Sequence, residues 1–208
     1  MKKIINGLFI IPLSLNSSWH IEKYSKLKKN EVTFLNGSLN IKVDSSASPI
    51  IYTLEKPLKY SGFNIKGNFL GLPKFSDYSL QGKKGFDDYP LRVGFIIKGD
   101  TRPNYFQKLV FPEWLKKIYS TLPSDSGIKL VEFYNVTQNP SSLNTSRIHP
   151  ASSLLKENFF AVVQDASSFD YRVVFKEPLN VSAVWISVDG DDTQSQYEVV
   201  INSFSLVD

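Results

Sequence analysis

The sequence predicts an all-β protein. Three observations carry this prediction: short runs in which apolar and polar residues alternate, turn residues between the runs, and thin evidence for helices. The alternation has the two-residue period of half-buried strands, and about ten such runs follow one another along the chain. Their close spacing is typical of an antiparallel sandwich or barrel. We therefore predict that residues 1–208 form a single β-sandwich domain.

The individual strands follow from the position of each run. Asn36-Gly37 separates the first two clear runs, and this dipeptide is a strong signal for a two-residue hairpin turn. The predicted strands lie at residues 32–35, 38–43, 50–54, 63–69, 91–97, 129–134, 159–163, 171–175, 183–188 and 197–206. Longer stretches at 71–90 and 135–158, rich in Gly, Ser, Asn and Pro, are predicted to form loops, and so is the stretch at 100–125 around one helix.

The helix is predicted near residues 112–122. Pro112 suits the first helical turn and Glu113 suits its positive end. The apolar residues of this segment fall on one helical face: Leu115, Ile118, Tyr119 and Leu122. No alternation of strands with helices follows it, which favours the all-β class.

Composition excludes several classes of protein. The chain is 42% hydrophobic and 21% charged, which is typical of a globular domain and not of disorder or a coiled coil. It has no cysteine, so disulfides and cysteine-based metal sites are excluded. The net charge of +4 favours an anionic partner without requiring one. Because no motif combines basic and aromatic residues, we expect no nucleic-acid binding.

The N-terminal segment, residues 1–12, allows two interpretations. Met1-Lys2-Lys3 and the apolar residues after it resemble a secretory signal. The apolar stretch is shorter than the ~20 residues that span a bilayer, so no transmembrane segment is predicted. No small-x-small cleavage site follows, and the alternative is a first strand over residues 9–15.

The densest acidic cluster is Asp189, Asp191 and Asp192, directly after an apolar strand. Its carboxylates are hard oxygen ligands of the kind that calcium prefers, so one prediction is a structural calcium site. The alternative is a turn whose side chains cap their own backbone.

A second polar group lies before the strand at 91–97. Asp88 and Arg92 are predicted to form a carboxylate–guanidinium pair that fixes the loop. If Asp88 instead converges with Asp189, the two could serve as an acid–base couple of the glycosidase type. Near the helix, Trp114 and Tyr119 are candidates for stacking on a ligand, whereas Trp185 is predicted to lie in the core.

Short blocks of the chain resemble a bacterial family, the domain-of-unknown-function family numbered 3047. The blocks are Trp19, residues 45–48, 88–93, 170–175 and 188–193. The resemblance covers residues 13–208 and is weakest over 100–125. It implies export and a galactose-binding-like jelly roll, and it carries no activity. The positions in shared motifs are Asp88, Arg92, Asp170, Asp189, Asp191 and Thr193.

These observations favour a non-catalytic module that binds a glycan or another small polar ligand. Asp88, Arg92, Trp114, Tyr119 and Asp170 are the predicted ligand-binding residues. One alternative is a glycan-cleaving enzyme that uses two of Asp88, Asp170 and Asp189, and another is a structural or assembly protein of the cell envelope. We expect a periplasmic or secreted protein, with a cytoplasmic location as the alternative.

Overall fold

The computed structural model describes residues 7–100, 103–104, 106, 109–123, 126–150 and 152–208. It confirms the all-β prediction. The strands are β1 (Leu8–Ile10), β2 (Trp19–Ile21), β3 (Glu31–Leu35), β4 (Ser38–Asp44), β5 (Ile50–Leu70), β6 (Leu91–Gly99), β7 (Gly127–Thr137), β8 (Ser146–Ile148), β9 (Leu155–Val162), β10 (Ser168–Ser187) and β11 (Gln196–Val207). The predicted helix is α1 (Glu113–Thr121), with Pro112 as its N-cap.

The strands form one hydrogen-bonded sheet in the order β3-β4-β11-β5-β10-β6-β7-β9-β8. In addition, β1 pairs with β11 and β2 pairs with β5. The first part of β5 pairs with the end of β10, and its second part pairs with β11 and the start of β10. The sheet therefore folds over itself through β5 and β10, which run through both layers of the sandwich. The described strands pair antiparallel except for β7 and β9, which are parallel.

Two pairs of predicted strands are single long strands in the structure. The runs at 50–54 and 63–69 both belong to β5, and those at 171–175 and 183–188 both belong to β10. Pro178 falls where the register between β10 and β5 shifts, between Val174 and Leu179. A residue at a β-bulge does not have to donate a backbone hydrogen bond to the neighbouring strand. A proline at that position therefore does not end the strand.

The interior has two apolar clusters. The larger lies between the layers and contains Phe63, whose ring is 5.2 Å from that of Phe95 and 6.2 Å from that of Phe204. The smaller lies on the outer face of β6, β7 and β10, where Ile118 and Leu122 of the helical segment cover Trp185 and Phe133. The layer that contains β6, β7 and the end of β10 is thus covered on both faces. The edge of the smaller cluster borders a cavity at the start of β6.

The N-terminal part of the described chain is a strand. Residues Leu8–Ile10 pair with the end of β11, and Phe9 is buried. Residues 1–6, which belong to the signal-like segment, lie outside the described residues. Among the described residues, no helix is long and apolar enough to cross a membrane.

The predicted Asn36-Gly37 hairpin is confirmed. Leu35 pairs with Ser38, and both turn residues have positive φ, 53° at Asn36 and 77° at Gly37. These angles are those of the turn that matches the twist of two antiparallel strands.

We expect Gly37→Ala to lower the free energy of unfolding by about 1–2 kcal/mol, because a side chain with a Cβ is strained in the left-handed region. No atom lies within 4 Å of the added Cβ, so the loss measures backbone strain alone. Gly37→Asn is the matched control and should lose less, because asparagine tolerates this region. Urea denaturation measures both variants, and an unchanged stability of Gly37→Ala would contradict the assignment.

Candidate functional site

A cavity of about 210 Å³ opens where β6 begins and β10 ends. All three predicted loops contribute to it, through Asp87 and Asp88, through Trp114, and through His149. The turn after β10 adds Asp189, Asp191 and Asp192. The cavity is smaller than the ~300–1,000 Å³ of pockets for drug-sized ligands. It has room for on the order of seven water molecules, which suits one small ring.

Arg92 is the buried cation of the site. Its Nη2 donates to the backbone carbonyl of Asp87 and lies 3.1 Å from Oδ2 of the same residue. Its Nε lies 3.5 Å from Oδ2 of Asp189, and its guanidinium stacks 4.3 Å from the ring centre of Tyr89. The prediction that Asp88 is the partner of Arg92 is therefore wrong, because the preceding aspartate takes that position.

Asp88 instead fastens the loop before β6 to the turn after β10. Its Oδ2 accepts hydrogen bonds from the backbone N–H and the hydroxyl of Thr193, both at 2.7 Å. Burial raises the pKa of Asp88, and the two bonds from Thr193 oppose that rise. Two segments that are far apart in sequence thus form one wall of the cavity.

The acidic turn does not gather its carboxylates around one point. Asp189 accepts from the Ser187 hydroxyl at 2.7 Å, whereas Asp192 accepts from the backbone N–H of Asp87 at 2.8 Å. Among the described residues, these aspartates form no group of three whose ligand atoms lie within 4.8 Å of one another. The side chains of Asp189 and Asp192 serve the turn and the neighbouring loop, and the structural calcium site stays a prediction.

The carboxyl groups of the site differ strongly in acidity. Burial raises the pKa of Asp189 to about 7, although the charge of Arg92 acts in the opposite direction. Burial and the charge of Asp88 raise the pKa of Asp191 to about 6. For Asp87, burial is outweighed by Arg92 and His149, which hold its pKa well below the ordinary value. Asp87 therefore stays ionised, whereas Asp189 and Asp191 hold their protons to a higher pH than an ordinary carboxyl group does.

Asp87 also belongs to a partly buried ionic network that sequence analysis missed. Oδ2 of Asp87 lies 3.1 Å from Nε2 of His149, and Arg147 bonds the fully buried Glu157 at 2.7 Å. Asp87, His149 and Glu157 bring ligand atoms within 4.8 Å of one another, the geometry of a metal site. Arg92 and Arg147 already pair with the two carboxylates, so the group works as a salt-bridge network. The antiparallel pairing of β8 with β9 places Arg147 opposite Glu157, and β9 lies beside β7 through a parallel pairing that no local sequence pattern signals.

An aromatic wall faces the carboxylates. Trp114 of α1 is half-buried and lines the cavity, with its ring 6.4 Å from that of Trp185. Trp185 lies in the core as predicted, at 4% exposure, yet its side chain also lines the cavity. Its buried Nε1–H has no hydrogen-bond partner among the described residues. Tyr24, which the sequence did not single out, adds a third ring.

Two predicted ligand-binding residues lie away from the cavity. Tyr119 stacks on Phe111 with ring centres 5.6 Å apart and does not line the cavity. Asp170 is exposed on the first part of β10, where it pairs with Lys66 at 2.8 Å. Helical spacing turns Tyr119 away from Trp114, and the length of β10 separates Asp170 from Asp189.

Comparison with known proteins gives no family assignment. No family model and no curated protein matches the sequence. One solved structure that the chain resembles is titled "Structure of PfGH50B", with 16% identity and a TM-score of 0.35 over 92% of this chain. The matched part is 22% of that structure's chain, so this protein corresponds to about a fifth of its length. The resemblance to the domain-of-unknown-function family 3047 stays a prediction.

Proposed function

We propose that the protein is a non-catalytic binding module whose cavity holds one sugar ring of a glycan. The observation that carries the proposal is the composition of the cavity, which aspartates line together with the aromatic residues Trp114, Trp185 and Tyr24. Pockets that bind small ligands combine apolar and aromatic surface with a few polar groups that fix the ligand's orientation.

Sugar hydroxyls match the two walls of the cavity. A hydroxyl donates as well as accepts, so it can give its proton to a cavity carboxylate such as that of Asp191. The indole of Trp114 offers a flat apolar surface for the C–H face of the ring. The volume of about 210 Å³ favours a single ring over a longer segment inside the cavity.

The environments of the aspartates favour binding without cleavage. Hydrolysis of a glycosidic bond needs two carboxyl groups that flank the bond about 5–10 Å apart. Of the three candidates, Asp170 lies outside the cavity, Asp88 is bonded to Thr193, and Asp189 is buried beside Arg92. This arrangement supports a site that orients hydroxyls and leaves the glycosidic bond intact.

We expect Trp114→Ala to weaken glycan binding at least about tenfold, because aromatic anchors often contribute more than 1.4 kcal/mol when truncated. Tyr119→Ala is the matched control: it removes an aromatic ring from the same helix but not from the cavity. Titration calorimetry of monosaccharides against the original protein and both variants measures the effect.

Equal losses in the two variants would contradict the assigned site, since they would reflect a disturbed helix. Product analysis after incubation with a ligand that binds tests the non-catalytic part of the proposal. Release of shortened products would overturn it in favour of the enzyme alternative.

A further inference from the structure

A second cavity adjoins the one described above. It has a volume of about 330 Å³, within the range of pockets that bind small ligands. It lies between α1 and the loop that connects β2 to β3, and its lining residues are Tyr24, Lys26, Leu27, Glu113 and Trp114. Tyr24, Leu27 and Trp114 also line the first cavity. The two cavities therefore meet along these three side chains.

The loop between β2 and β3 is fastened to the helix by its own contacts. Glu113 accepts two hydrogen bonds from Ser25, one from the backbone N–H to Oε1 at 2.6 Å and one from the hydroxyl to Oε2 at 2.9 Å. One turn further along α1, Nζ of Lys117 lies 3.1 Å from Oε2 of Glu22. These contacts fix the distance between loop and helix. The second cavity is therefore preorganised, and a ligand does not have to order it.

We infer, on the basis of the proposed function, that the second cavity holds the next sugar ring of the same glycan. The first cavity, at about 210 Å³, suits one ring, so a ring linked to that one lies outside it. The second cavity is adjoining space of sufficient size, and Trp114 lines both. Its indole offers apolar surface to the C–H face of each ring. The ligand class is thus an oligosaccharide of at least two rings.

The second cavity also supplies polar groups for a sugar ring. Lys26 is exposed and lines the second cavity but not the first. In the described part of the chain its ammonium group forms no ion pair, so its three N–H donors are available to sugar oxygens. Each carboxylate oxygen of Glu113 takes one bond from Ser25 and has a further lone pair for a sugar hydroxyl.

The charge of the second cavity favours an uncharged ring. Of its lining residues, Lys26 and Glu113 carry charges, and these are opposite in sign. An anionic ring would be attracted by one and repelled by the other, and the same holds for a cationic ring. A neutral hydroxylated ring can use both residues at once, as donor and as acceptor. Neutral sugars are therefore the probes that test the inference.

Titration calorimetry with glucose, galactose and mannose, each beside its β-1,3- and β-1,4-linked disaccharides, provides the test. For a sugar that binds, we expect a disaccharide to bind about tenfold more tightly than the monosaccharide, because the second ring adds a stacking contact and a hydrogen bond. Lys26→Ala removes one donor from the second cavity. In this variant the ratio of the two affinities should fall from about tenfold to about twofold.

Lys23→Ala is the matched control, because Lys23 is an exposed lysine of the same loop that lines neither cavity. It changes the net charge equally and should keep the tenfold ratio. Equal affinities for monosaccharide and disaccharide in every pair would overturn the inference and leave the proposed function standing. Binding of none of these sugars would overturn both. A tenfold ratio that survives in Lys26→Ala would overturn the placement of the second ring beside Lys26.

Discussion

Arg92→Met should lower the free energy of unfolding by about 3–5 kcal/mol, since removing one partner of a largely buried ion pair leaves the carboxylates of Asp87 and Asp189 without their main counter-charge. Asp87 would lose the guanidinium that lies 3.1 Å from its carboxylate, and its backbone carbonyl would lose a donor. Methionine keeps much of the side-chain volume, so the loss reports charge and hydrogen bonding more than packing.

Thermal unfolding at pH 7 measures this effect, and a chain of about 200 residues should melt roughly 6–20 °C lower. Arg172→Met is the matched control, because Arg172 is exposed and its closest carboxylate oxygen, on Asp170, is 3.9 Å away. That control should melt within a degree or two of the original protein. Similar melting temperatures for Arg92→Met and Arg172→Met would show that the buried pair contributes little.

The stability of the protein should fall as the pH rises from about 4 to 7. The folded pKa of Asp189, about 7, lies above the ordinary value of 3.8, so the folded state holds this proton more tightly than the unfolded state. The favourable contribution is complete below the ordinary value and is lost as the pH rises through about 7. One pKa unit corresponds to about 1.4 kcal/mol, so Asp189 accounts for on the order of 4 kcal/mol over this range.

Asp189→Asn is expected to remove most of this slope, because an amide does not titrate. A smaller slope should remain from Asp191, whose pKa is raised to about 6. Asp87 acts in the opposite direction: its lowered pKa stabilises the fold above the ordinary carboxyl value, and this contribution is lost only in stronger acid.

Urea denaturation at several pH values between 4 and 8 provides the measurement. Asp170→Asn is the control and should keep the slope, because its exposed carboxyl has a lowered pKa through Lys66. A slope that is identical in Asp189→Asn and in the original protein would contradict the assignment of a raised pKa to Asp189.

Local sequence patterns predicted those turns and helices that depend on a few neighbouring residues. The Asn36-Gly37 hairpin and the helix after Pro112 each depend on residues within one turn, and both are confirmed. The two long strands were each predicted as two separate runs of alternating residues. The bulge opposite Pro178 depends on the partner strand, which a single run of sequence does not show.

Sequence analysis predicted which loops form the site, but not which side chains meet there. Acidic loops before β6 and after β10 were identified, but which of Asp87 and Asp88 faces Arg92 depends on the loop's backbone path. Glu157 joins the site through the parallel pairing of β9 with β7, and His149 directly follows β8, which pairs with β9. The parallel pairing joins segments without a hairpin, so no turn signal marks it.

The continuity of β5 and β10 through both layers also governs how the chain folds. Ile50 pairs with Ile186 and Asn68 pairs with Ser168, so each layer contains one end of β5 and one end of β10, two strands that come from distant parts of the sequence. Pairings of such large sequence separation make folding slow, because loop closure precedes the contacts that stabilise it. Neither layer can complete its ladder alone. The two layers therefore belong to one cooperative unit, and the acidic cavity between β6 and the end of β10 is assembled only when that unit closes.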